Sequence, residues 1–217
     1  MKDKLNRKLT DLRISVTDRC NFRCRYCMPE ELYGEAYEFL KKDQVLSFEE
    51  IVRLTKIFIK LGVNKVRLTG GEPLVRKNIE TLISSISSLD ESVDLAMTTN
   101  GYLLNKFANI LFSSGLKRLT ISLDSLDNDI FQKMSGKKFN VDDVLMGISS
   151  AKKAGFKNIK INSVIKKGIN DEGIIDLVDY CKREGHILRF IEYMDVGTLN
   201  SWNRGSVLDS KKIIDII

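Results

Sequence analysis

Cys20, Cys24 and Cys27 place three thiol donors on eight residues, in C-x3-C-x2-C spacing, in a chain of 217 residues with four cysteines and one histidine. Thiolates are the protein ligands of iron–sulfur clusters and of zinc. A cubane 4Fe–4S cluster has four irons, so three cysteines leave one iron without a protein ligand. An open position binds and activates a small molecule, whereas a fully ligated cluster is suited to passing electrons. A structural zinc site would need a fourth donor. The only spare cysteine and histidine, Cys181 and His186, lie far downstream, so zinc stays an alternative that needs distant residues to converge. A disulfide fits less well. Residues 1–9 are charged and lack the apolar core of a signal peptide, so a cytoplasmic chain with reduced thiols is expected.

The formal net charge is +6, with lysines scattered and not blocked. Such a balance suits an anionic substrate such as a nucleotide, although solvated helix faces account for most of it. No basic run is interleaved with aromatics, which argues against nucleic acid as a partner. No apolar run reaches the length of a membrane span, so no membrane partner is expected.

The elements that must position the cysteines alternate between β-branched runs and amphipathic segments. Strands are expected at 12–16, 65–68, 93–97, 118–123, 158–164 and 188–192. Ser47 with Glu50 forms a capping box, followed by an apolar stripe of Ile51, Leu54, Phe58 and Leu61 that Gly62 ends. Asn140 is expected to cap a helix to Ala154, and Asn170 one to Glu184. Six strands separated by helices read as βα units in a parallel sheet. Distinctive residues follow nearly every strand: the cysteines, Gly70-Gly71-Glu72-Pro73, Thr98-Thr99-Asn100-Gly101, Asp124-Ser125 and Tyr193-Met194-Asp195. That distribution matches the mouth of a βα barrel better than the single switch point of an open sheet. The expected fold is α/β, a partial (βα)6 TIM-like barrel over residues 1–197, with 198–217 starting a C-terminal segment. Asp124 and Asp127 could form an acid/base pair, but capping the next helix suits them better. Cys181 lies on an apolar helical stripe with Ile174, Leu177 and Val178 and is expected in the core.

The cysteine spacing with Tyr26 before the last cysteine, and Gly-Gly-Glu-Pro after the second strand, resembles the radical S-adenosylmethionine superfamily. Longer strings, Leu12 to Cys24, Tyr26-Cys27-Met28-Pro29, Arg67 to Leu74, Ser122-Leu123-Asp124-Ser125 and Arg189 to Gly197, resemble the GTP 3′,8-cyclase family of molybdenum cofactor biosynthesis within it. The resemblance implies a 4Fe–4S cluster with one open iron on Cys20, Cys24 and Cys27, and S-adenosylmethionine as co-substrate. It further implies that Gly71 meets the methionine end of that molecule, that Tyr26 and Met194 lie beside its adenine, and that Ser122 lies on its ribose side. Arg13, Arg67, Thr98 and Lys160 are implied as contacts for GTP. The implied partners are a flavodoxin- or ferredoxin-type reductant and the next enzyme of the pterin pathway, and a homodimer is allowed. The family also carries a C-terminal cysteine triad for a second 4Fe–4S cluster, whose ligands are absent here because no cysteine follows Cys181. With Ile213, Ile214, Ile216 and Ile217 closing the sequence on an apolar pattern, further sequence beyond 217 is expected. A radical enzyme acting on a peptide or tRNA, and a non-catalytic metal-binding fragment, are the competing expectations.

Overall fold

A computed structural model of the chain describes residues 2–196 and 202–217. Six strands, β1 (Asp11–Ser15), β2 (Lys65–Thr69), β3 (Asp94–Thr99), β4 (Arg118–Ser122), β5 (Lys160–Ile165) and β6 (Ile187–Glu192), form one sheet in sequence order, and every pairing is parallel. Among the described residues β1 and β6 do not pair, so the barrel is open. The helices are α1 (Glu30–Tyr33), α2 (Phe48–Lys60), α3 (Ile79–Ser87), α4 (Leu104–Ser113), α5 (Asn128–Ser135), α6 (Val141–Ala154), α7 (Ile174–Glu184) and α8 (Ser210–Ile216). Among the described residues no helix is long and apolar enough to cross a membrane. The expected boundary at 197/198, and Gly197 itself, lie outside the described residues.

The strands alternate in character, which gives the sheet two unlike faces. Val66, Leu68, Leu95, Met97, Leu119, Ile121 and Ile161 are buried in the core shared with the helices. The opposite, inner face carries polar and charged residues in register. Arg13 lies beside Arg67, Arg67 beside Ala96, and Ala96 beside Arg118; Thr98, Thr120 and Lys160 form the next row, and Asn162 pairs with Arg189. A closed βα barrel fills this interior with apolar layers. Here it is a basic surface.

Local sequence explains the helix starts. Glu50 N donates to Ser47 Oγ and Ser47 N donates to Glu50 Oε2, closing the capping box at α2. Ile51 and Thr55 form the buried side of α2, whereas Leu61 is its exposed C-cap and not part of a buried stripe. Asn140 caps α6 through Asp142 N. Asn170 does not cap a helix with its side chain, since a 3-10 turn (Asp171–Gly173) precedes α7. Its amide instead donates to the carbonyls of Asp124 and Val164 and accepts from Lys166 N, tying the ends of β4 and β5 together.

Candidate functional site

The cysteine loop leaves β1 with Val16 N still donating to Thr69 O of β2. The amides of Cys27 and Met28 both donate to Cys24 O, folding the second half of the motif into a tight turn. Between the cysteines, Phe22 is buried in an aromatic cluster with Tyr102, Phe131 and Phe139, at ring separations of 5.3 to 6.1 Å. Arg23 donates to the carbonyls of Cys20 and Phe22 at 2.8 Å and to that of Tyr33 at 2.7 Å. A methyl group at Gly136 would lie 2.1 Å from Arg23 O, so α5 approaches this loop backbone as only glycine allows. Phe22 and Arg23 were not singled out from the sequence. Their position inside the motif was the available signal.

All four cysteines are free, with Cys20 and Cys24 half-buried and Cys27 exposed. Burial pushes the Cys20 thiol up to about 11, moves Cys24 well above the ordinary range and raises Cys27. Neighbouring thiols and the carboxylates of Glu72 and Asp124 add to the rise at Cys20 and Cys24. Three thiolates are stable here only with a positive group between them, and metal binding displaces thiol protons in that way. Beside Cys20 the side-chain nitrogen of Asn21 is buried and has no partner. Buried donors are normally satisfied, so an acceptor such as a cluster sulfur fits this position. Among the described residues no three His, Cys, Asp or Glu side chains are grouped around a single metal ion. The convergence of Cys181 and His186 that zinc requires does not occur: Cys181 is buried in the core on α7, as expected from the stripe.

Gly70 and Gly71 lie directly against the cysteine loop. A methyl group at Gly71 would sit 2.2 Å from Arg19 O, and at Gly70, where φ is +154°, 2.5 Å from Thr17 O. Gly71 N donates to Thr17 O and Glu72 N to Arg19 O. Glu72 is buried and accepts from Leu74 N, Thr99 Oγ1 and Asn100 N at 3.0, 2.7 and 2.7 Å. Burial pushes its carboxyl up to about 7 despite those donors. The loops after β1, β2 and β3 are therefore one hydrogen-bonded unit.

A small cavity of about 30 Å³ opens beside Cys24, Tyr26, Asn100, Ser122 and Asp124. Tyr26 donates to Asp124 Oδ2 at 2.8 Å, and Val164 N donates to Asp124 Oδ1 at 2.9 Å. Burial raises the Asp124 carboxyl to about 6. Asp127 caps α5 through Ile130 N, as expected, but Asp124 caps nothing: it orients Tyr26. Tyr26 and Ser122 thus meet near Cys24, while Met194 lies exposed after β6.

Down the inner face, Arg67 donates to Thr98 Oγ1 at 3.1 Å and Thr120 Oγ1 at 3.2 Å. Burial lowers the Arg67 guanidinium, followed by the charges of Arg13, Arg118 and Arg189, with Asp94 opposing. Lys160 is lowered by burial and then by Arg189, Arg118, Arg67 and Lys65. Arg118 is paired with Asp94, its Nε donating at 2.6 Å. The structure thus joins Arg13, Arg67, Thr98 and Lys160, and adds Arg118, Arg189 and Thr120, which the sequence analysis passed over. Period-two counting from Arg67 across the strand register would have found them.

The family model for the Radical SAM superfamily matches residues 14–181. The chain is 49% identical over 217 residues to the GTP 3′,8-cyclase of Staphylococcus haemolyticus, covering all of this chain and 64% of that protein. It is 48% identical over 214 residues to the enzyme of the same name from Acidothermus cellulolyticus, covering 99% of this chain and 59% of that one. The chain therefore spans about three fifths of the length of these relatives. Among solved structures, Streptococcus suis SuiB bound to S-adenosylmethionine superposes with a TM-score of 0.75 at 21% identity, over 95% of this chain and 46% of SuiB. The protein anSMEcpe with bound AdoMet gives 0.65 at 17% identity, over 87% of this chain and 51% of its own. These two likenesses speak to the fold, an open parallel α/β barrel. Because the family model runs from β1 through the cysteine loop to α7, the chain belongs to the radical SAM superfamily.

Proposed function

We propose that the chain is the radical-generating barrel of a GTP 3′,8-cyclase, which converts GTP to (8S)-3′,8-cyclo-7,8-dihydroguanosine 5′-triphosphate at the start of molybdopterin biosynthesis. Cys20, Cys24 and Cys27 would hold three irons of a 4Fe–4S cluster, leaving the fourth for S-adenosylmethionine. The chemistry that such a cluster would supply is one electron to the sulfonium, so that S-adenosylmethionine would part into methionine and a 5′-deoxyadenosyl radical able to take a hydrogen from the substrate. The chain's own residues position and exclude. Tyr26, fixed by Asp124, lies beside Ser122, where the adenosine part would sit. Gly71 lets the loop after β2 approach closely, and the backbone at Met194 would meet the adenine edge. The reading needs a one-electron reductant of flavodoxin or ferredoxin type, a cytoplasmic setting, and a following enzyme that takes the cyclised nucleotide.

The observation that carries GTP as substrate is the inner face. Arg13, Arg67, Arg118, Lys160 and Arg189 share one surface of the sheet below the cysteine loop. Burial and mutual repulsion lower Arg67 and Lys160. A triphosphate relieves that crowding, and guanidinium forks match phosphate oxygens. Identity of 44–49% over nearly the whole chain to proteins named GTP 3′,8-cyclase supports the same substrate.

The test is anaerobic formation of 5′-deoxyadenosine from S-adenosylmethionine and dithionite by iron-loaded protein, with and without GTP. Formation that rises with GTP supports the proposal. Formation indifferent to GTP but stimulated by a peptide or an RNA reassigns the substrate. No formation from a cluster-loaded sample leaves a metal-binding fragment without this chemistry.

A further inference from the structure

We propose that Asn100 directs a hydrogen-bond donor at the Cys20 sulfur while the unpartnered Asn21 nitrogen donates to the cluster beside it, and that the two thereby set the cluster's reduction potential. The inference rests on the cluster assignment above. Asn100 lies in the loop after β3, against the cysteine motif. Its Nδ2 donates to Asn21 Oδ1 at 2.8 Å and stands 3.9 Å from Cys20 Sγ. The amide of Phe22 points at the same sulfur from 3.4 Å.

Two contacts hold the Asn100 amide in that orientation. Its backbone N–H is fixed by Glu72 Oε2 at 2.7 Å, and its Oδ1 accepts from Tyr102 N at 3.1 Å. With the oxygen committed to Tyr102, the NH2 group must face Asn21 and Cys20. Asn21 is oriented in turn, because its Oδ1 is the acceptor for Asn100 and for the Cys20 thiol, 3.9 Å away. That leaves Asn21 Nδ2 buried, without a protein partner, and next in sequence to a proposed ligand. Asn100 also lines the cavity it shares with Cys24, Tyr26 and Ser122.

Donors aimed at ligand or cluster sulfur stabilise added negative charge, and one-electron reduction adds negative charge to the cluster. They therefore raise its reduction potential. The two asparagines act on Cys20 and on the cluster sulfur, so they are positioning and tuning residues that need not touch a substrate.

The experiment compares iron-loaded wild-type protein with Asn100→Leu and Asn21→Leu, near-isosteric changes that remove the donors. Iron and sulfide content, the midpoint potential by redox titration, and exchangeable-proton couplings to the reduced cluster are measured in H2O and D2O. Both variants are expected to keep the wild-type iron content and titrate at lower potential. At a fixed poise the reduced-to-oxidised ratio falls about tenfold, equivalent to ~59 mV for one electron. The exchangeable couplings should weaken in both. Full iron content with unchanged potential and couplings overturns the proposal. If Asn100→Leu fails to take up iron, Asn21→Leu decides by the same criteria. Wild-type protein that takes up no iron refutes the cluster assignment itself, an outcome distinct from a loaded wild type whose variants do not shift.

Discussion

Replacing Glu72 with Gln separates two opposing effects at one buried carboxyl. Oε1 accepts from Leu74 N and Thr99 Oγ1, and Oε2 accepts from Asn100 N. An amide keeps one acceptor, so whichever way it turns, its NH2 faces a backbone N–H. A buried donor left unpaired costs about 1–3 kcal/mol. The ionised carboxylate has its own penalty, since burial pushes this group from 4.5 up to about 7. Because the native value exceeds the unfolded one, the native state binds more protons between those limits, and stability falls as pH rises through that window. At ~1.4 kcal/mol per pH unit the penalty approaches about 3 kcal/mol above pH 7 and vanishes below 4.5. Glu72→Gln removes that penalty. At pH 5 the variant should therefore be less stable than wild type by about 1–3 kcal/mol. By pH 8 the deficit should shrink to near zero or reverse. Urea unfolding of the iron-free chain at pH 5, 6, 7 and 8, followed by far-ultraviolet circular dichroism, provides the measurement, and the variant-minus-wild-type difference cancels other titrating groups. A deficit that stays constant or grows with pH would refute the reasoning, because the three donors would then outweigh burial.

Three further outcomes test the site. Cys24→Ala should abolish iron uptake while Cys181→Ala, in the core on α7, leaves iron content unchanged; equal iron in both contradicts the ligand assignment. Arg67→Met should weaken GTP binding at least about tenfold, with a smaller dependence on salt, and leave the thermal midpoint unchanged or higher because like-charge crowding is reduced; undiminished affinity in equilibrium titration argues against a phosphate role. Asp124→Asn leaves one acceptor where Tyr26 and Val164 now use two, so S-adenosylmethionine affinity should fall several-fold at unchanged iron content; equal affinity would separate Tyr26 from that site.

What could be read in the sequence is what lies close along the chain. The cysteine motif is local, and so are the capping box at Ser47 and the β-branched runs, which place all six strands to within a residue or two. Side-chain roles that depend on distant partners were not visible. Asp124 looked like a helix cap, and only the fold brings Tyr26 to within 2.8 Å of it. Asn170 likewise looked like a cap, yet it joins β4 to β5 because the chain reaches α7 through a 3-10 turn. Gly71 is a ligand contact by resemblance, and the fold adds that Gly70 and Gly71 both pack against the cysteine loop backbone, a neighbour some fifty residues earlier in the sequence. Arg118 and Arg189 were not singled out. Their company with Arg67 follows from parallel register, which a single strand does not display.

The interior of this barrel is built against its own stability, in two places and by two means. At the mouth, buried thiols, a raised carboxyl and an unpartnered asparagine nitrogen crowd one loop cluster. Below it, Arg13, Lys65, Arg67, Arg118, Lys160 and Arg189 share a face whose partnered carboxylates are Asp11, with Lys65, and Asp94, with Arg118. Apolar side chains would pack this space more stably, as they do in closed barrels. The two burdens are complementary in sign: the mouth carries acceptors and incipient thiolates that call for a cationic metal group, while the face below calls for an anion. A ligand that binds only the folded chain stabilises it in proportion to the logarithm of its concentration over its dissociation constant. Each group thus offsets the penalty at its own level. The apolar core lies on the far side of the sheet, which leaves the inner face for chemistry.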